Sequence, residues 1–460
     1  MSERGLELAR QKMVDGGVAE QAIEVFARFY AQLESGETGV IHEADVDPLV
    51  DVPRLADLEV SDDEARAALD ATCIIKLNGG LGTSMGMDRA KSLLEVRPGR
   101  SFLDLIVGQV RHLRQAYDVR LPLLFMDSFR TRDDTLAALA GHDDVATEGL
   151  PADFLQNREP KLRADDLTPV EWDADPSLTW CPPGHGDLYT ALDVSGVLQT
   201  LLDAGFRYAS VSNSDNLGAA PDPTVAGWFA ASGAPYAAEV CRRTPADVKG
   251  GHLVVRRSDG RLILRETAQT PKDDEAAAGD IAKHPYFHTN NLWFDLRVLA
   301  DTLRENGGVL GLPLIRNVKT VDPGDPSSPQ VIQVESAMGA AVEVFDGATA
   351  IEVERSRFLP VKTTNDLLLL RSDVYDVGDD DRLTRRVDPP AVDLDGAHYK
   401  LIGDFDARFP HGAPSLRGAT SLRVRGDWTF GRDVVVRGDA ALEDEGAPGT
   451  VPDAAVLDRG

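Results

Sequence analysis

Apolar residues recur at helical spacing from residue 6 to residue 33, and two glycines, Gly16 and Gly17, interrupt them. Residues three and four positions apart lie on one face of a helix, so this spacing predicts two amphipathic helices that are separated at the glycines. We expect both helices to pack on the main body of the protein through their apolar faces.

A strand, a glycine-rich loop and a helix are predicted next. Thr72–Leu77 is a short apolar run with β-branched residues, and the glycine-rich stretch NGGLGTSMG follows it directly. A helical pattern begins at Ser101, and Asp104 stands three positions later, as in a capping box. This order of elements is typical of the opening of an α/β domain.

The alternation of strands and helices continues along the chain. The predicted strands cover residues 121–126, 208–212 and 237–240, and the predicted helices cover residues 189–203 and 224–231. Such alternation predicts an α/β fold with a doubly wound, mostly parallel sheet. Residues 252–257 and 261–266 are joined by an Asp-Gly turn and form a candidate hairpin inserted into this pattern.

The pattern changes towards the C-terminus. An aspartate-rich stretch over residues 373–395 contains two adjacent prolines and marks a boundary. Beyond it, four apolar residues stand six positions apart: Val424, Phe430, Val436 and Leu442. This hexapeptide spacing favours a small parallel β-helix over an ordinary pair of hairpins. We therefore predict an N-terminal helical segment (1–60), a catalytic α/β domain (61–385) and a β-helix domain (386–460).

Composition narrows the classes of partner. The chain has 460 residues, with 48 Lys plus Arg against 76 Asp plus Glu, and a net charge of −28. Such a surface repels nucleic-acid phosphates and anionic lipids, so we expect neither nucleic acid nor a membrane as a partner. The same charge would repel a phosphorylated substrate. A site for one must therefore be built locally, from lysines and backbone N–H groups.

The cysteines and the N-terminus suggest a compartment. Cys73, Cys181 and Cys241 are far apart and form no C-x-x-C pair, so neither a disulfide framework nor a structural zinc site is predicted. The first residues carry no apolar signal region, and no stretch of about 18 apolar residues occurs. We expect a cytoplasmic protein, monomeric or a small homo-oligomer.

The glycine-rich loop is the most informative segment. Its glycines allow the backbone to approach a ligand closely and to point N–H groups at phosphate oxygens, and Lys91 follows it. It is not a Walker A loop, because Ala90 stands before Lys91. A phosphate or nucleotide site is the favoured interpretation, and a merely tight turn is the alternative.

Two further loops point to an anion and a metal. The loop PPGHGD carries His185 and precedes a predicted helix, whose N-terminus favours an anion, although a structural histidine is equally compatible. The loop SNSDN carries Asp215 and follows the predicted strand at 208–212. A carboxylate at the end of a parallel strand suits Mg²⁺ shared with substrate phosphates, with an Asx-turn or helix cap as the alternative.

Two polar segments lie among apolar surroundings. Asn290 and Asn291 offer adjacent amides that suit sugar hydroxyls, and a turn is the alternative. Lys362 lies in a chain with few lysines, and together with Lys91 and Lys249 it could supply positive charge to an anionic substrate. A solvated surface lysine is the alternative for Lys362.

Several long motifs, taken in order, carry a resemblance. They are KLNGGLGTSMG, PPGHGD, SNSDNLG, ADVKGG, HTNNLW, VESAMGAAV and SRFLPVKTTNDLLL. In this order, from about Ile74 to Leu370, the chain closely resembles the eukaryotic-type UDP-glucose pyrophosphorylase (UTP-glucose-1-phosphate uridylyltransferase) family. The resemblance implies a doubly wound nucleotidyltransferase domain with N-terminal helices and a left-handed β-helix. It also implies transfer of UMP from UTP to glucose 1-phosphate, with Mg²⁺ as the cofactor.

The resemblance also implies roles for individual residues. The nucleotide would be bound by Leu77, Asn78, Gly79, Gly80, Lys91, Gln156, Gly184 and Asp215. The sugar phosphate would be bound by His185, Asn213, Gly250, Glu266, Asn290, Glu335 and Lys362. Within these sets, Gln156 and Gly184 would read the uracil, Asp215 would bind the metal, and Lys91 and Lys362 would be the catalytic residues.

Other functions remain open at this point. A pyrophosphorylase for galactose or N-acetylglucosamine 1-phosphate would share the glycine loop. A non-catalytic UDP-sugar sensor would not need Lys91, Asp215 and Lys362 together. A glycosyltransferase would use a D-x-D motif, but strings such as Asp404-Phe405-Asp406 are common in so acidic a chain.

Overall fold

The computed structural model describes residues 2–37, 39–244, 247 and 250–458. In chain order the helices are Ser2–Asp15 (α1), Glu20–Glu34 (α2), Asp62–Asp70 (α3), Phe102–Tyr117 (α4), Arg132–Leu139 (α5), Leu188–Val194 (α6), Val197–Asp203 (α7), Pro223–Ser232 (α8), Glu275–Ala278 (α9), Leu296–Glu305 (α10), Thr364–Arg371 (α11), Gly396–Tyr399 (α12) and Ile402–Arg408 (α13). Lys249 lies outside the described residues.

The strands alternate with these helices. They are Val46–Pro48 (β1), Thr72–Leu77 (β2), Glu95–Arg97 (β3), Arg100–Ser101 (β4), Leu123–Asp127 (β5), Asp153–Leu155 (β6), Glu159–Pro160 (β7), Leu162–Arg163 (β8), Trp180–Cys181 (β9), Tyr208–Asn213 (β10), Tyr236–Arg242 (β11), His252–Arg256 (β12), Leu262–Arg265 (β13), Tyr286–Asp295 (β14), Ile315–Thr320 (β15), Gln330–Glu335 (β16), Thr349–Glu352 (β17), Tyr375–Val377 (β18), Leu383–Arg385 (β19), Ala391–Leu394 (β20), Ser415–Val424 (β21), Trp428–Phe430 (β22), Val435–Leu442 (β23), Gly449–Val451 (β24) and Val456–Asp458 (β25).

A seven-stranded sheet forms the centre, in the order β17-β11-β14-β10-β2-β5-β6. All neighbouring pairs are parallel except those of β14, which is antiparallel to both β11 and β10. The predicted α/β class with a parallel-rich sheet is confirmed. The sequence analysis did not identify β14, because the polar run from His288 to Asn291 interrupts its apolar pattern.

Apolar side chains cover both faces of this sheet. Ile74 joins a cluster that includes residues of α4 and of the C-terminal strands, whereas Cys73 and Ile75 join a second cluster with residues of α6, α7 and α10. Successive side chains of a strand point to opposite faces, so β2 is buried on both sides. Its ends are therefore the places where it can present groups to a ligand.

The N-terminal helices form as predicted. α1 ends just before Gly16 and Gly17, and α2 begins after them. The apolar residues of both helices pack with Leu162, Leu314 and Ile332. Ser101 caps α4, and its side chain and that of Asp104 form the predicted capping box. No helix in the described ranges is long and apolar enough to cross a membrane.

The predicted helix at 189–203 was wrong in one respect. The structure has two short helices there, α6 and α7, and Gly196 between them has a φ of +76°. That left-handed backbone conformation ends a helix, and glycine adopts it without steric cost. The predicted hairpin is confirmed: β12 and β13 are antiparallel neighbours.

The C-terminal strands stack in parallel. The order β20-β21-β23-β25 forms one parallel sheet, and β22 pairs in parallel with β24. Val424 pairs with Leu442, so this coil spans three six-residue steps. Val424, Phe430 and Val436 are buried, and Leu442 is half-buried against the same cluster. The hexapeptide spacing therefore marks the inward-facing positions.

Candidate active site

Asn78 joins three loops at one edge of the central sheet. It follows β2, and its amide nitrogen donates to Asp127 Oδ1 (2.8 Å) and Thr135 Oγ1 (2.8 Å). Its amide oxygen accepts a hydrogen bond from Ser214 Oγ (2.9 Å). Parallel strands end at the same edge, so the loops after β2, β5 and β10 meet here. These contacts engage both the amide nitrogen and the amide oxygen of Asn78.

The glycine loop lies directly against Gln156. A Cβ atom on Gly79 would come within 2.3 Å of Gln156 Oε1, so a larger residue there would displace the Gln156 side chain. Gly80 faces open space, and its carbonyl oxygen accepts a hydrogen bond from the backbone N–H of Lys91 (3.1 Å). At the end of β2, Leu77 pairs with Asn213 of β10. The structure therefore brings the glycine loop of the predicted nucleotide set against Gln156 and Lys91.

Lys91 and Asp215 form an ion pair beside this loop. Lys91 Nζ donates to Asp215 Oδ2 at 2.7 Å and also to the backbone carbonyl oxygen of Val361. The side chains of Lys91 and Asp215 remain 15% and 21% exposed. Asp215 Oδ1 is buried without a hydrogen-bond partner. This oxygen, in the loop after β10, therefore has unused capacity to accept a hydrogen bond or a cation.

Lys362 directly follows Val361, whose backbone contacts both members of this pair. The backbone N–H of Val361 donates to the carbonyl oxygen of Asp215 (3.2 Å), so the segment that carries Lys362 runs beside the Asp215 loop. Lys362 itself is exposed, and its backbone N–H donates to Asp366 Oδ2 (2.9 Å) at the start of α11. Burial raises the pKa of Glu266, and the nearby charge of Lys362 opposes that rise.

The loop with Gly184 and His185 packs on the end of β16. A Cβ atom on Gly184 would lie 2.6 Å from the carbonyl oxygen of Ser336 and 3.1 Å from Glu335 Cβ, so a larger residue would force the loop away. His185 Nδ1 accepts a hydrogen bond from the backbone N–H of Met338 (2.9 Å). Burial lowers the pKa of His185 to about 4. The ring is therefore neutral at pH 7, with its proton on Nε2.

The remaining predicted sugar residues lie on β14 and directly before and after the β12–β13 hairpin. Asn290 has a φ of +58°, and its Oδ1 lies 3.1 Å from His288 Nδ1. His288 Nε2 is buried without a partner. The backbone N–H of Gly250 donates to Thr267 Oγ1 (3.1 Å), and Glu266 lies beside the neighbouring glycine. The Asn290–Asn291 pair is thus part of a strand, and the alternative of a turn was wrong.

Asn291 is not free to bind a sugar. Its amide nitrogen donates to Glu239 Oε2 (3.0 Å) and to the carbonyl oxygen of Arg357 (3.2 Å). Its oxygen accepts from Asn216 Nδ2 (3.2 Å). The sequence analysis missed Asn216, Glu239 and Arg357, because no spacing along the chain reveals a pair 118 positions apart.

The residues present fit a magnesium ion that is shared with a substrate. Among the residues that the structure describes, no group of three or more His, Cys, Asp or Glu side chains could hold a metal ion by itself. Mg²⁺ is commonly bound by one or two carboxylates together with substrate phosphates and water. The unpartnered oxygen of Asp215 would be one such ligand.

The D-x-D string of the C-terminal region lies on α13. Asp404 and Asp406 belong to α13, and Asp406 pairs with Arg371 (2.5 Å). That pairing gives Asp406 a structural partner and offers no support for a glycosyltransferase.

Comparison with known proteins agrees with this geometry. The family described as UTP–glucose-1-phosphate uridylyltransferase matches residues 23–437. The enzyme of that name from Saccharomyces cerevisiae is 39% identical over 85% of this chain and 78% of its own length. The barley (Hordeum vulgare) enzyme is 40% identical over 86% of this chain and 82% of its own length.

Solved structures match over nearly the whole chain. The UDP-glucose pyrophosphorylase of Leishmania major, known in open and closed structures, is 43% identical with a TM-score of 0.92, covering 99% of this chain and 98% of its own. A mutant of the Leishmania enzyme was solved in complex with UDP-glucose; it is 42% identical with a TM-score of 0.91 and the same coverage. These matches, together with the site described above, show that the chain belongs to the UTP–glucose-1-phosphate uridylyltransferase family.

Proposed function

We propose that this protein is the enzyme that transfers UMP from UTP to glucose 1-phosphate, giving UDP-glucose and pyrophosphate. The observation that carries the proposal is the convergence of Lys91, Asp215 and the Lys362 segment beside the glycine loop. A binding protein for UDP-sugars would not need two lysines and a carboxylate around the reacting phosphates. The relatives that carry this activity in their names match most of the chain.

The reaction needs no general base. A phosphomonoester has a second pKa of about 6, so an oxygen of glucose 1-phosphate is already ionised at pH 7. That oxygen attacks the α-phosphorus of UTP in line, and a new P–O bond forms as the bond to the leaving pyrophosphate breaks. Pyrophosphate departs with the bonding electron pair. The main barrier is the approach of two polyanions, so the protein must position them and neutralise their charge.

Lys91 and Lys362 would supply this neutralisation. Lys91 lies at the glycine loop, where its ammonium group would leave Asp215 for the phosphates of UTP. Lys362 lies close enough to Glu266 for its charge to act on that carboxyl group. It would contact the α-phosphate of UTP, where the two substrates meet. Such groups act most strongly on charge that develops in the transition state.

Magnesium is proposed as the cofactor, with Asp215 as its protein ligand. Bound there, Mg²⁺ would neutralise phosphate charge and orient the phosphoryl oxygens. The buried, unpartnered Oδ1 of Asp215 supports this assignment, because a carboxylate oxygen is the kind of ligand that Mg²⁺ takes.

The base and the sugar would be read by polar side chains and by the loop backbone. The amide of Gln156 can pair with N3–H and O4 of uracil, and cytosine presents the opposite pattern of donor and acceptor. The backbone of Gly184, whose loop packs on the end of β16, would contact the base. His185 would donate a hydrogen bond from its Nε2–H group to the sugar phosphate. The hexose would lie among Asn213, Gly250, Glu266, Asn290 and Glu335.

The finer architecture is proposed on the same footing. We propose that the central sheet is doubly wound, and that the parallel C-terminal strands form a left-handed β-helix over about residues 386–460. Their support is the parallel pairing and the apolar residues six positions apart. A cytoplasmic location and a monomer or small homo-oligomer remain our expectations.

The function is tested by pyrophosphate release. The purified protein is incubated with UTP, Mg²⁺ and a panel of sugar 1-phosphates, with and without EDTA. The expected result is metal-dependent release with glucose 1-phosphate well above galactose or N-acetylglucosamine 1-phosphate. Faster pyrophosphate release with another sugar 1-phosphate would identify that sugar as the substrate. No release with any of them would favour a UDP-sugar sensor.

A further inference from the structure

Glu239 and Arg357 form a buried ion pair near the segment that carries Lys362. Arg357 donates two parallel hydrogen bonds to Glu239, from Nε to Oε2 and from Nη2 to Oε1, both at 2.7 Å. The side chains are only 10% and 1% exposed. Burial by itself would raise the pKa of Glu239, but the guanidinium group of Arg357 holds it below its usual range. Both groups are therefore charged inside the protein.

The pair ties together four parts of the fold. Glu239 lies in the middle of β11 and also accepts hydrogen bonds from Trp293 Nε1 and Asn291 Nδ2 of β14, each at 3.0 Å. Arg357 also donates to the carbonyl oxygen of Ala220 (3.0 Å), in the loop after β10. A buried charged pair that satisfies its hydrogen bonds in this way holds its neighbours in one arrangement.

The backbone of Arg357 continues this network towards the active site. Its carbonyl oxygen accepts hydrogen bonds from the amides of both Asn216 and Asn291, at 3.2 Å each. Asn216 Oδ1 in turn accepts from the backbone N–H of Leu359 (2.8 Å). Asn216 immediately follows Asp215, and Leu359 stands three residues before Lys362. The network therefore connects the metal-ligand candidate to the lysine segment.

The loop after β10 and the segment before Lys362 run side by side in close contact. Asn216 and Pro360 form an isolated antiparallel bridge, and Val361 N–H donates to the carbonyl oxygen of Asp215 (3.2 Å). A Cβ atom on Gly218 would come within 2.4 Å of the carbonyl oxygen of Ser356. A shift of the Arg357 backbone would thus displace both Asp215 and Lys362.

We propose that Glu239 and Arg357 are positioning residues for the transfer reaction: they set the place of Lys362 relative to the Lys91–Asp215 pair. The inference rests on the proposed function, because it presumes that Lys362 acts in catalysis. Neither side chain of the pair needs to touch a substrate. Displacement of a catalytic group by about 1 Å can cost about 10²-fold in rate, so a remote pair can control turnover.

The test uses a variant that removes both charges at similar volume, Glu239→Gln with Arg357→Met. Removing both partners avoids leaving Glu239 or Arg357 buried and unpaired, which would destabilise the protein by itself. Asp222, which lies 3.6 Å from Arg357 Nη1, keeps Arg382 as a partner at 3.9 Å. The matched control is Arg207→Met with Asp295→Asn. This change removes an ion pair (2.8 Å) between the residue that precedes β10 and the last residue of β14, at the sheet edge opposite the site. Asparagine at 295 can still cap α10.

Hydrogen exchange measures the positioning directly, without reference to catalysis. We expect the amides of Leu359 and Val361 to exchange at least about 10-fold faster in the Glu239/Arg357 variant, with exchange of the amides in the central sheet unchanged. The control variant should leave these two amides as in the wild type. Unchanged protection, or a uniform increase over the whole sheet, would overturn the proposal.

Kinetics then ask whether the pair acts through Lys362. We expect kcat to fall about 10- to 100-fold and KM for UTP to change less than about 3-fold. In a Lys362→Ala background the same change should cost less than about 2-fold, because the positioned group is already absent. Equal losses in both backgrounds would contradict the proposal.

Two outcomes separate this inference from the proposed function. If Lys362→Ala turns over like the wild type, the catalytic role of Lys362 fails, and the positioning role in catalysis fails with it, whatever the exchange data show. If Lys362→Ala is impaired but the pair variant is fully active, only the positioning role fails. Should the neutral variant not fold, Arg357→Lys keeps the charge but loses the paired hydrogen bonds, and the same measurements apply with smaller effects expected.

Discussion

The ammonium group of Lys91 donates a 2.7 Å hydrogen bond to Oδ2 of Asp215, although 124 positions separate the two residues. The other oxygen of Asp215 is left without a partner. The glycine loop and the loop after β10 are thereby joined at the point where the phosphates of UTP would lie. A nucleotide that brings its own negative charge, together with a cation, can take over both partners of this ion pair.

Asp215→Asn is expected to weaken the dependence on magnesium. The substitution keeps the size of the side chain and one acceptor oxygen but removes the charge that would hold the metal and pair with Lys91. We expect kcat to fall about 10²-fold or more and the Mg²⁺ concentration for half-maximal rate to rise. The measurement is pyrophosphate release across a magnesium titration. An unchanged titration curve would exclude Asp215 as the metal ligand.

Lys362→Ala is expected to lower kcat by about 10²-fold or more, because an electrostatic contact to the transition state is lost. Steady-state kinetics with UTP and glucose 1-phosphate provide the measurement. Lys400→Ala, at another exposed lysine near the C-terminal helices, is the matched control and should retain wild-type turnover. Wild-type turnover of Lys362→Ala itself would remove this residue from the mechanism.

Gln156→Ala is expected to relax the choice of base. The amide that lies against Gly79 would be lost, and with it the hydrogen bonds that distinguish uracil from cytosine. We expect the ratio of kcat/KM for UTP over CTP to fall about 10-fold or more, in line with the energy of a pair of hydrogen bonds to a base. Gln199→Ala, an exposed glutamine on α7, is the control. A preserved ratio would show that Gln156 does not read the base.

His185 is expected to make stability depend on pH. Its pKa is about 4 in the folded protein against 6.5 ordinarily, because burial disfavours the charged ring. The folded state therefore binds fewer protons than the unfolded state, and this contribution is present above pH 6.5 and is lost as the pH falls towards 4. Over that window the slope contributed by one such histidine approaches about 1.4 kcal/mol per pH unit.

The check is a series of denaturant titrations of the wild type and His185→Gln between pH 4 and pH 7. Glutamine can still accept the hydrogen bond from Met338, so the loop should keep its place. The variant should lose stability less steeply on acidification. The comparison between the two proteins matters, because Asp187, with a pKa raised to about 7 by burial, changes stability in the opposite direction. Parallel curves would show that His185 is not held neutral.

Local chemistry along the chain was enough to predict much of the fold. The apolar run at Thr72–Leu77, the capping box at Ser101 and Asp104, and the Asp-Gly turn of the hairpin each depend on neighbouring residues, and the structure has all three. The six-residue spacing near Val424 likewise marked the buried positions of the C-terminal strands. Gly196 was overlooked, and the helix that was predicted across it is divided there.

The sequence by itself determined the type of most elements and marked candidate residues for the chemistry, because glycines, a lysine and a carboxylate follow the predicted strands. Only the tertiary structure decided which of them meet. The direction of β14, the ion pair between Lys91 and Asp215, and the buried pair between Glu239 and Arg357 all join distant parts of the chain. Contacts of this kind depend on how strands are ordered in a sheet, and that order follows from the packing of the whole core.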